Sequence, residues 1–281
     1  MKSEMKVNFK IILGICFIGL LLLFTFTDLP IAKMVYHPNS LFGWFFEIIG
    51  TLPMPVVGIF SCIALIGTAK RKLCIQTVLS YLLGISLLLY FAFYCVLCIV
   101  YALSITLIPM IIAIVIWIVL SIFFTKKIID NGNRENLRKA AIIGVSCCSV
   151  AVIGVSILKN IMGRPRFYTL SNADTQFTYW FLRQPPLRNS SFPSGHAAQS
   201  ALTFCSLLIP ALINIKNIPL HKRIALLSST AFTLCVMFSR MVLGMHYATD
   251  VLVGAALTIA TLLILESLLK FPKIYQKQEK C

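Results

Sequence analysis

Apolar runs separated by short polar clusters make up most of the sequence. The length of each run is close to the about 20 residues that an α-helix needs to cross a bilayer. The uncharged stretch 73–124 is long enough for two such helices, with a turn predicted at Tyr101–Pro109. The mixed segment 28–50, which contains Trp44, is typical of a helix at the membrane interface. The pattern predicts eight transmembrane helices, at 11–27, 53–69, two within 73–124, 140–158, 196–213, 224–238 and 247–269.

The composition agrees with this pattern. Of the 281 residues, 59% are hydrophobic and only 12% are charged, whereas charged residues make up about a quarter of soluble domains. We therefore expect an all-α polytopic membrane protein embedded in the lipid bilayer. Its expected organisation is a set of N-terminal transmembrane helices over 1–139, a helical core over 140–270 and a polar cytoplasmic tail over 271–281.

The net charge of +16 does not indicate a nucleic-acid partner, because the basic residues lie in short runs beside apolar segments rather than in one soluble patch. Such runs fix membrane topology and contact lipid headgroups. Most of the 25 Lys and Arg residues fall on the side that holds both termini. We therefore expect both termini in the cytoplasm of a bacterium, with the protein in the inner membrane. The clusters around Lys159, His196 and Arg240 then face outward, where cations are disfavoured unless they bind an anion.

Three polar clusters border apolar runs in the second half of the chain. The first holds Lys159 and Arg166, seven residues apart, so both face the same way if a helix continues between them. A basic edge of a membrane helix would give the same pattern. The second is the run 193–196, Pro-Ser-Gly-His, where free backbone N–H groups at a helix start favour an anion. An ordinary capped helix start is an equal alternative for this run alone.

The third cluster joins Arg240 to His246 and Asp250. His246 and Asp250 are four residues apart, so on a helix they lie on one face and can form a hydrogen bond. A carboxylate in that place fixes the imidazole tautomer and leaves the other ring nitrogen as a nucleophile. A polar pair inside a helix bundle is the alternative, but ionisable residues at the start of a membrane span are functional candidates.

Together the clusters supply three cations, a helix N-terminus and two histidines on one face of the membrane. That set suits phosphoryl transfer, where positioning and charge stabilisation provide most of the catalysis. The clusters resemble the motifs K-x6-R-P, P-S-G-H and S-R-x5-H-x3-D of the type 2 phosphatidic acid phosphatases, membrane relatives of the vanadium haloperoxidases. The second and third motifs match fully, and in the first Phe167 replaces the proline. The resemblance extends over about 140–270.

The resemblance implies a role for each motif residue. His246 would attack phosphorus to form a phosphohistidine, Asp250 would orient it, and His196 would protonate the departing oxygen and later activate water. The phosphoryl oxygens would be held by five groups, those of Lys159, Arg166, Ser194, Gly195 and Arg240. No metal or other cofactor is implied, because cations and amides do the work of a Lewis acid.

Three further arginines on the outward side, Arg164, Arg183 and Arg188, are candidates for contacts to a lipid headgroup. An interfacial belt of aromatic and basic residues is the alternative interpretation.

The hypothesis that these residues favour is a metal-independent phosphatase that removes a terminal phosphate from a lipid phosphate or diphosphate at the outer leaflet. Undecaprenyl diphosphate, phosphatidylglycerophosphate and the phosphates of lipid A all suit such a site. A lipid-to-lipid phosphotransferase would use the same residues. A non-catalytic lipid-binding protein or a transporter is the third alternative, although the sequence has no internal repeat of the kind that transporters often carry.

Overall fold

The computed structural model describes residues 2–69, 78, 81–82, 84–93, 107–187 and 189–272. Within those ranges the chain is helical and contains no strand. Two continuous helical stretches change type along their length, one through a π-helical turn (Val150–Gly154) and one into a 3-10 helix (Ala201–Ala211). The α-helices are α1 (Lys2–Val35), α2 (Leu41–Ile49), α3 (Pro53–Thr68), α4 (Gly84–Phe93), α5 (Leu107–Asp130), α6 (Arg134–Ser149), α7 (Val155–Met162), α8 (Ala173–Gln176), α9 (Gly195–Ser200), α10 (Ile218–Val242) and α11 (Ala248–Leu268).

Six helical stretches among the described residues are long and apolar enough to span a membrane, which confirms the predicted all-α membrane fold. The helix formed by α9 and its 3-10 continuation is shorter, as is α4. The total of eight therefore stays a prediction, and the turn expected at Tyr101–Pro109 lies largely outside the described residues. The six stretches are Ile11–Val35, Leu41–Thr68, Ile111–Asp130, Arg134–Thr169, Ile218–Val242 and Ala248–Leu268.

The sequence predicts one interfacial element over 28–50, but the structure divides this segment between two helices. Helix α1 does not end near Thr27 but continues through Pro30 to Val35. Only the remainder forms a separate helix, α2, whose N-cap Ser40 accepts a hydrogen bond from the Gly43 N–H at 3.2 Å. The end of α1 is therefore part of the helix bundle.

Helices α11 and α3 hold the bundle together. Helix α11 packs against α9, α6 and α1, and α3 packs against α6 and α5. The apolar core between them includes the fully buried Met54, Leu137, Ile143 and Leu202. By contrast, the apolar side chains of α1 and α5 are largely exposed, as expected for helices that face lipid.

A buried ion network ties α1 to the rest of the bundle. The Arg164 guanidinium donates through Nη1 to Asp250 Oδ1 at 2.6 Å and through Nη2 to Asp28 Oδ2 at 2.9 Å. Thr249 donates to Asp28 twice, from its backbone N–H at 2.9 Å and from its hydroxyl at 2.5 Å. The guanidinium also lies 4.0 Å from the ring centroid of Tyr247. All five side chains are buried, so each charge depends on its partners rather than on water.

We expect Asp28→Asn to lower the melting temperature of the full-length protein in detergent micelles. Breaking one side of a buried ion pair costs about 3–5 kcal/mol, because the remaining charge stays buried without full compensation. The measurement is the thermal unfolding midpoint of the purified variant against that of the wild type.

Asp174→Asn is the matched control. Asp174 is exposed and pairs with the partly exposed Lys33 at 2.5 Å, and exposed ion pairs contribute about 0–1 kcal/mol. Equal melting temperatures for the two variants would show that α1 is held to the bundle by apolar packing alone.

Candidate active site

The three sequence motifs meet where four helix ends converge. Lys159 lies in the last turn of α7, and Arg240 lies in the last turn of α10. The motif 193–196 forms the start of α9, and Asp250 lies in the first turn of α11. Helix α9 packs against α7, α10 and α11, so these ends are neighbours.

His246 lies in a tight turn between α10 and α11, two residues before α11 begins. Gly244 makes that turn with a positive φ of 67°, a conformation that favours glycine. The backbone N–H groups of Met245 and His246 both donate to the Arg240 carbonyl. The turn therefore fixes His246 relative to the guanidinium of Arg240 on the preceding helix.

The backbone carbonyl of Ser191, rather than a carboxylate, is the nearest partner of His246. The imidazole Nδ1 lies 2.6 Å from that oxygen and 3.7 Å from Asp250 Oδ2. A carbonyl only accepts, so Nδ1 carries the proton and the lone pair is on Nε2. The predicted proximity of His246 and Asp250 is present, but His246 precedes the helix and its tautomer is set by the main chain.

The electrostatic surroundings of His246 favour the neutral imidazole, which agrees with a single proton on Nδ1. Burial of the imidazole, together with the neighbouring cations Lys159 and Arg166, lowers the pKa of His246 to about 3, although Asp250 acts in the opposite direction. The imidazole is 2% exposed, and with its pKa lowered this far below 7 it is neutral at pH 7. A neutral ring with a free Nε2 lone pair is the form that a nucleophilic histidine needs.

Asp250 organises the backbone around the site. Its Oδ2 accepts from the Tyr247 N–H at 2.8 Å, and its carbonyl oxygen accepts from the Ser194 N–H at 2.9 Å. Ser194 in turn caps α9, its hydroxyl accepting from the Ala197 N–H at 3.4 Å. A Cβ on Gly254 would lie 2.3 Å from the Ser194 carbonyl, so only glycine lets α11 approach this loop. Asp250 and Gly254 thus place the start of α9.

The first motif does not continue as a helix. Helix α7 ends at Met162, and Gly163 follows it in the left-handed conformation with φ 59°. The Lys159 ammonium donates to the Ser190 carbonyl at 2.7 Å, next to the carbonyl that holds His246. Arg166 lies beyond the helix end, with Nη1 3.3 Å from Met245 Sδ. The two cations therefore reach the site by a turn of the chain rather than from one helix face.

Two guanidinium groups at the site hold unused donors. Arg166 Nε and Arg240 Nε are buried with no hydrogen-bond partner among the described residues. Arg240 Nη1 has no hydrogen bond of suitable geometry there either, although it lies 3.2 Å from Glu47 Oε1. The hydroxyls of Ser190 and Ser191 are buried and unpaired within the same ranges. Buried donors without partners are costly, so their concentration here is what a binding site for an anion requires.

The remaining motif residues complete the cluster. The partly exposed His196 imidazole interacts electrostatically with Arg240, His246, Lys159 and Arg166. Gly195 is the first residue of α9, and a Cβ there would meet only a Val155 methyl group at 3.8 Å. The structure thus brings together all eight residues that the sequence assigns to catalysis and phosphate binding, namely Lys159, Arg166, Ser194, Gly195, His196, Arg240, His246 and Asp250.

The three headgroup candidates have separate positions. Arg164 is completely buried between Asp28 and Asp250, so its prediction as a headgroup contact is wrong. Its charge is already paired on both sides and has no route to a lipid. Arg183 lies exposed in the loop after α8, and Arg188 lies outside the described residues.

Two acidic residues were missed by sequence reasoning. Asp28 contacts Arg164, and Glu47 lies with Oε1 3.2 Å from Arg240 Nη1. Asp28 carries a signal that could have found it, because it directly follows the apolar run 11–27, and a carboxylate at the end of such a run is costly if the helix continues, unless it has a buried partner. Glu47 has no comparable signal, since the sequence placed it in an interfacial segment where a carboxylate is ordinary.

The family comparison agrees with this geometry. Residues 139–271 match the model of the PAP2 superfamily. No curated protein and no solved structure matches the chain. The matched segment contains every motif residue from Lys159 to Asp250, whereas Asp28 and Glu47 lie outside it. The match of residues 139–271 to the PAP2 superfamily confirms the resemblance carried by the three motifs.

Proposed function

We propose that this protein is an integral membrane phosphatase that removes a terminal phosphate from a lipid phosphate or diphosphate through a phosphohistidine at His246. The observation that carries the proposal is the His246 imidazole, whose Nδ1 is bound to the Ser191 carbonyl, beside the buried Nε donors of Arg166 and Arg240, which have no hydrogen-bond partner among the described residues. A nucleophile with a free lone pair next to unused cationic donors is the arrangement that phosphoryl transfer needs. The match of residues 139–271 to the PAP2 superfamily supports a phosphatase-type reaction.

The proposed reaction has two displacement steps. In the first, the Nε2 lone pair of His246 attacks phosphorus and the bond from phosphorus to the lipid oxygen breaks. His196, which the negative charge of the bound phosphate keeps protonated against the neighbouring cations, gives that oxygen its proton. In the second, water attacks the phosphohistidine, the P–N bond breaks, and His196 takes a proton from the water. Phosphate leaves, and both imidazoles return to their starting protonation states.

The cations and amides would stabilise the transition state. Charge spreads over the three equatorial oxygens of the phosphoryl group during transfer. The unpaired donors of Arg166 and Arg240, with Lys159, supply positive charge that is already in place. The Ser194 hydroxyl and the Gly195 N–H would add neutral donors at the start of α9.

An apolar cavity supports a lipid as the substrate. It has a volume of about 780 Å³ and lies between α3, α5, α10 and the 3-10 helix that continues from α9. Leu202 lines it, only six residues after His196. We propose that the cavity holds the hydrocarbon chain of the substrate while the phosphate lies at the helix ends, with the site on the outer face of a bacterial inner membrane. Undecaprenyl diphosphate, phosphatidylglycerophosphate and lipid A phosphates share this division into an apolar chain and a terminal phosphate.

His246→Ala is expected to abolish release of phosphate from a lipid phosphate, because it removes the attacking nitrogen. The loss should exceed a thousandfold, as is typical when a covalent nucleophile is removed. The measurement is free phosphate released by the purified protein from a panel of lipid phosphates, with the melting temperature checked in parallel. Release at the wild-type rate would assign the nucleophile to another residue, and transfer of labelled phosphate to a second lipid would reveal a phosphotransferase.

Orthovanadate should inhibit the wild-type protein, because it adopts the five-coordinate geometry of the phosphoryl group in transfer. EDTA should leave the rate unchanged, since the proposed reaction uses only side-chain cations. Phosphate release measured with each reagent checks both points. Activity that is lost with EDTA and restored by a divalent cation would contradict the metal-independent reaction.

Ser229→Phe is expected to lower kcat/KM at least tenfold for a long-chain lipid phosphate while leaving a short-chain soluble phosphate ester almost unaffected. Ser229 is buried and lines the cavity, so a phenyl ring there would occupy space proposed for the chain. Leu227→Phe on the exposed side of α10 is the matched control. An equal loss on both substrates would contradict the assignment of the cavity to the lipid chain.

A further inference from the structure

Glu47 reaches the phosphate-binding cluster from outside the segment that matches the family. It lies on α2, and its Oε1 is 3.2 Å from Nη1 of Arg240. The Arg240 side chain is 3% exposed and the Glu47 side chain 21% exposed. The only anionic partner that the described residues give to this proposed phosphate ligand is therefore a carboxylate from the N-terminal half of the chain.

The pair between Glu47 and Arg240 is incomplete. At 3.2 Å the two atoms attract each other, but neither Nη1 nor Nε of Arg240 has a hydrogen bond with suitable geometry in the described residues. Glu47 Oε2 is buried and also unpaired there. A carboxylate that neutralised Arg240 for structural reasons alone would be expected to dock side-on with two hydrogen bonds. The observed contact engages Nη1 in an ion pair with one carboxylate oxygen and leaves Nε available for a second anion.

Packing fixes α2 in this position. The ring of Phe42 contacts that of Phe238 at 5.8 Å between centroids, and the ring of Phe46 contacts that of Phe232 at 6.3 Å. A Cβ on Gly43 would lie 2.7 Å from a Leu243 methyl carbon, so α2 and α10 are in close contact. Glu47 is therefore held beside Arg240 by its helix and does not depend on the ion pair for its place.

The charge at the site explains why such a carboxylate matters. Arg240 interacts electrostatically with both Arg166 and Lys159, so three cations share a buried space. In the empty site, Glu47 offsets part of their repulsion. Once a phosphate is bound, the same negative charge lies near the phosphoryl oxygens and repels them, since like charges at short range in a protein interior interact strongly.

We propose that Glu47 is a positioning residue that acts through Arg240 as a counter-charge, weakening the hold of the site on phosphate so that the product is released. The inference rests on the proposed function, because it concerns the same phosphate site. The inference predicts that removing the carboxylate tightens the binding of inorganic phosphate instead of weakening it. A carboxylate that merely braced Arg240 would give weaker binding when removed.

The test is calorimetric titration of the purified full-length protein in detergent with inorganic phosphate and with orthovanadate. Glu47→Gln should bind both anions on the order of tenfold more tightly than the wild type, from the loss of one unit of negative charge nearby. Glu135→Gln is the matched control, because Glu135 is exposed and pairs with Lys139 on the same helix, away from the three cations. It changes the net charge by the same amount and should bind like the wild type.

Turnover gives the second measurement. Product inhibition by phosphate should set in at lower concentration in Glu47→Gln than in the wild type. Glu47→Met also removes the charge at similar side-chain length, so it tests the same sign if the glutamine variant has a lowered melting temperature.

The outcomes separate the inference from the proposed function. Tighter anion binding by the Glu47 variants supports the counter-charge. Unchanged or weaker binding by those variants, with normal binding by the wild type, would overturn it and leave the phosphatase proposal standing. Absence of phosphate and vanadate binding in the wild type would instead overturn the proposed function itself.

Discussion

One buried guanidinium determines how the helix ends come together. Arg164 bonds to Asp28 of α1 and to Asp250 of α11, and its own position follows from the turn at Gly163. Three distant parts of the chain are thereby joined at a point from which water is excluded. Such a network is costly if it is incomplete, because each charge would stay buried without its partner. The arrangement of the site around it is therefore tightly specified.

The carboxylate of Asp250 acts on the site mainly through the backbone. It is too far from His246 Nδ1 for a good hydrogen bond, and the Ser191 carbonyl accepts the hydrogen bond from Nδ1 instead. Asp250 holds the Tyr247 N–H through its side chain and the Ser194 N–H through its carbonyl. The loop 190–194 is thus held at Ser194 by Asp250 and at Ser191 by the Arg164 carbonyl, which accepts from the Ser191 N–H at 2.7 Å. It supplies the carbonyls that hold His246 and Lys159. Orientation of the imidazole is a property of this loop as much as of the acid.

Much of the fold followed from hydropathy, and much of the site followed from motif spacing. The span predicted at 53–69 is α3, and the span at 247–269 is α11 to within a residue at either end. Hydropathy failed at the ends of α1 and α10, because it reports where a helix meets lipid and not where the helix stops. Helix α10 begins at Ile218, ahead of the charged residues that the sequence placed in a loop.

The contacts that sequence could not supply are those between distant helices. Asp28 lies 136 positions from Arg164, and no local pattern links the two. The sequence also contains no sign that the Ser191 carbonyl bonds to His246. Every residue has a backbone carbonyl, and only the folded structure shows which one contacts the imidazole. Arg164 was predicted wrongly for the same reason, because an arginine beside a membrane helix has the same sequence signature whether it faces lipid or the interior.

The two acidic side chains supplied by α1 and α2 also bear on whether the C-terminal half of this protein could function with a different N-terminal half. Residues 139–271 contain the complete set of motif residues, yet two of their cations, Arg164 and Arg240, draw their N-terminal countercharges from Asp28 and Glu47. A chimera that joined this half to the leading helices of another protein would inherit both cations without those anions. The N-terminal half thus supplies two of the charges that surround the site. Replacing it would remove the carboxylates of Asp28 and Glu47 as well as the membrane helices that carry them.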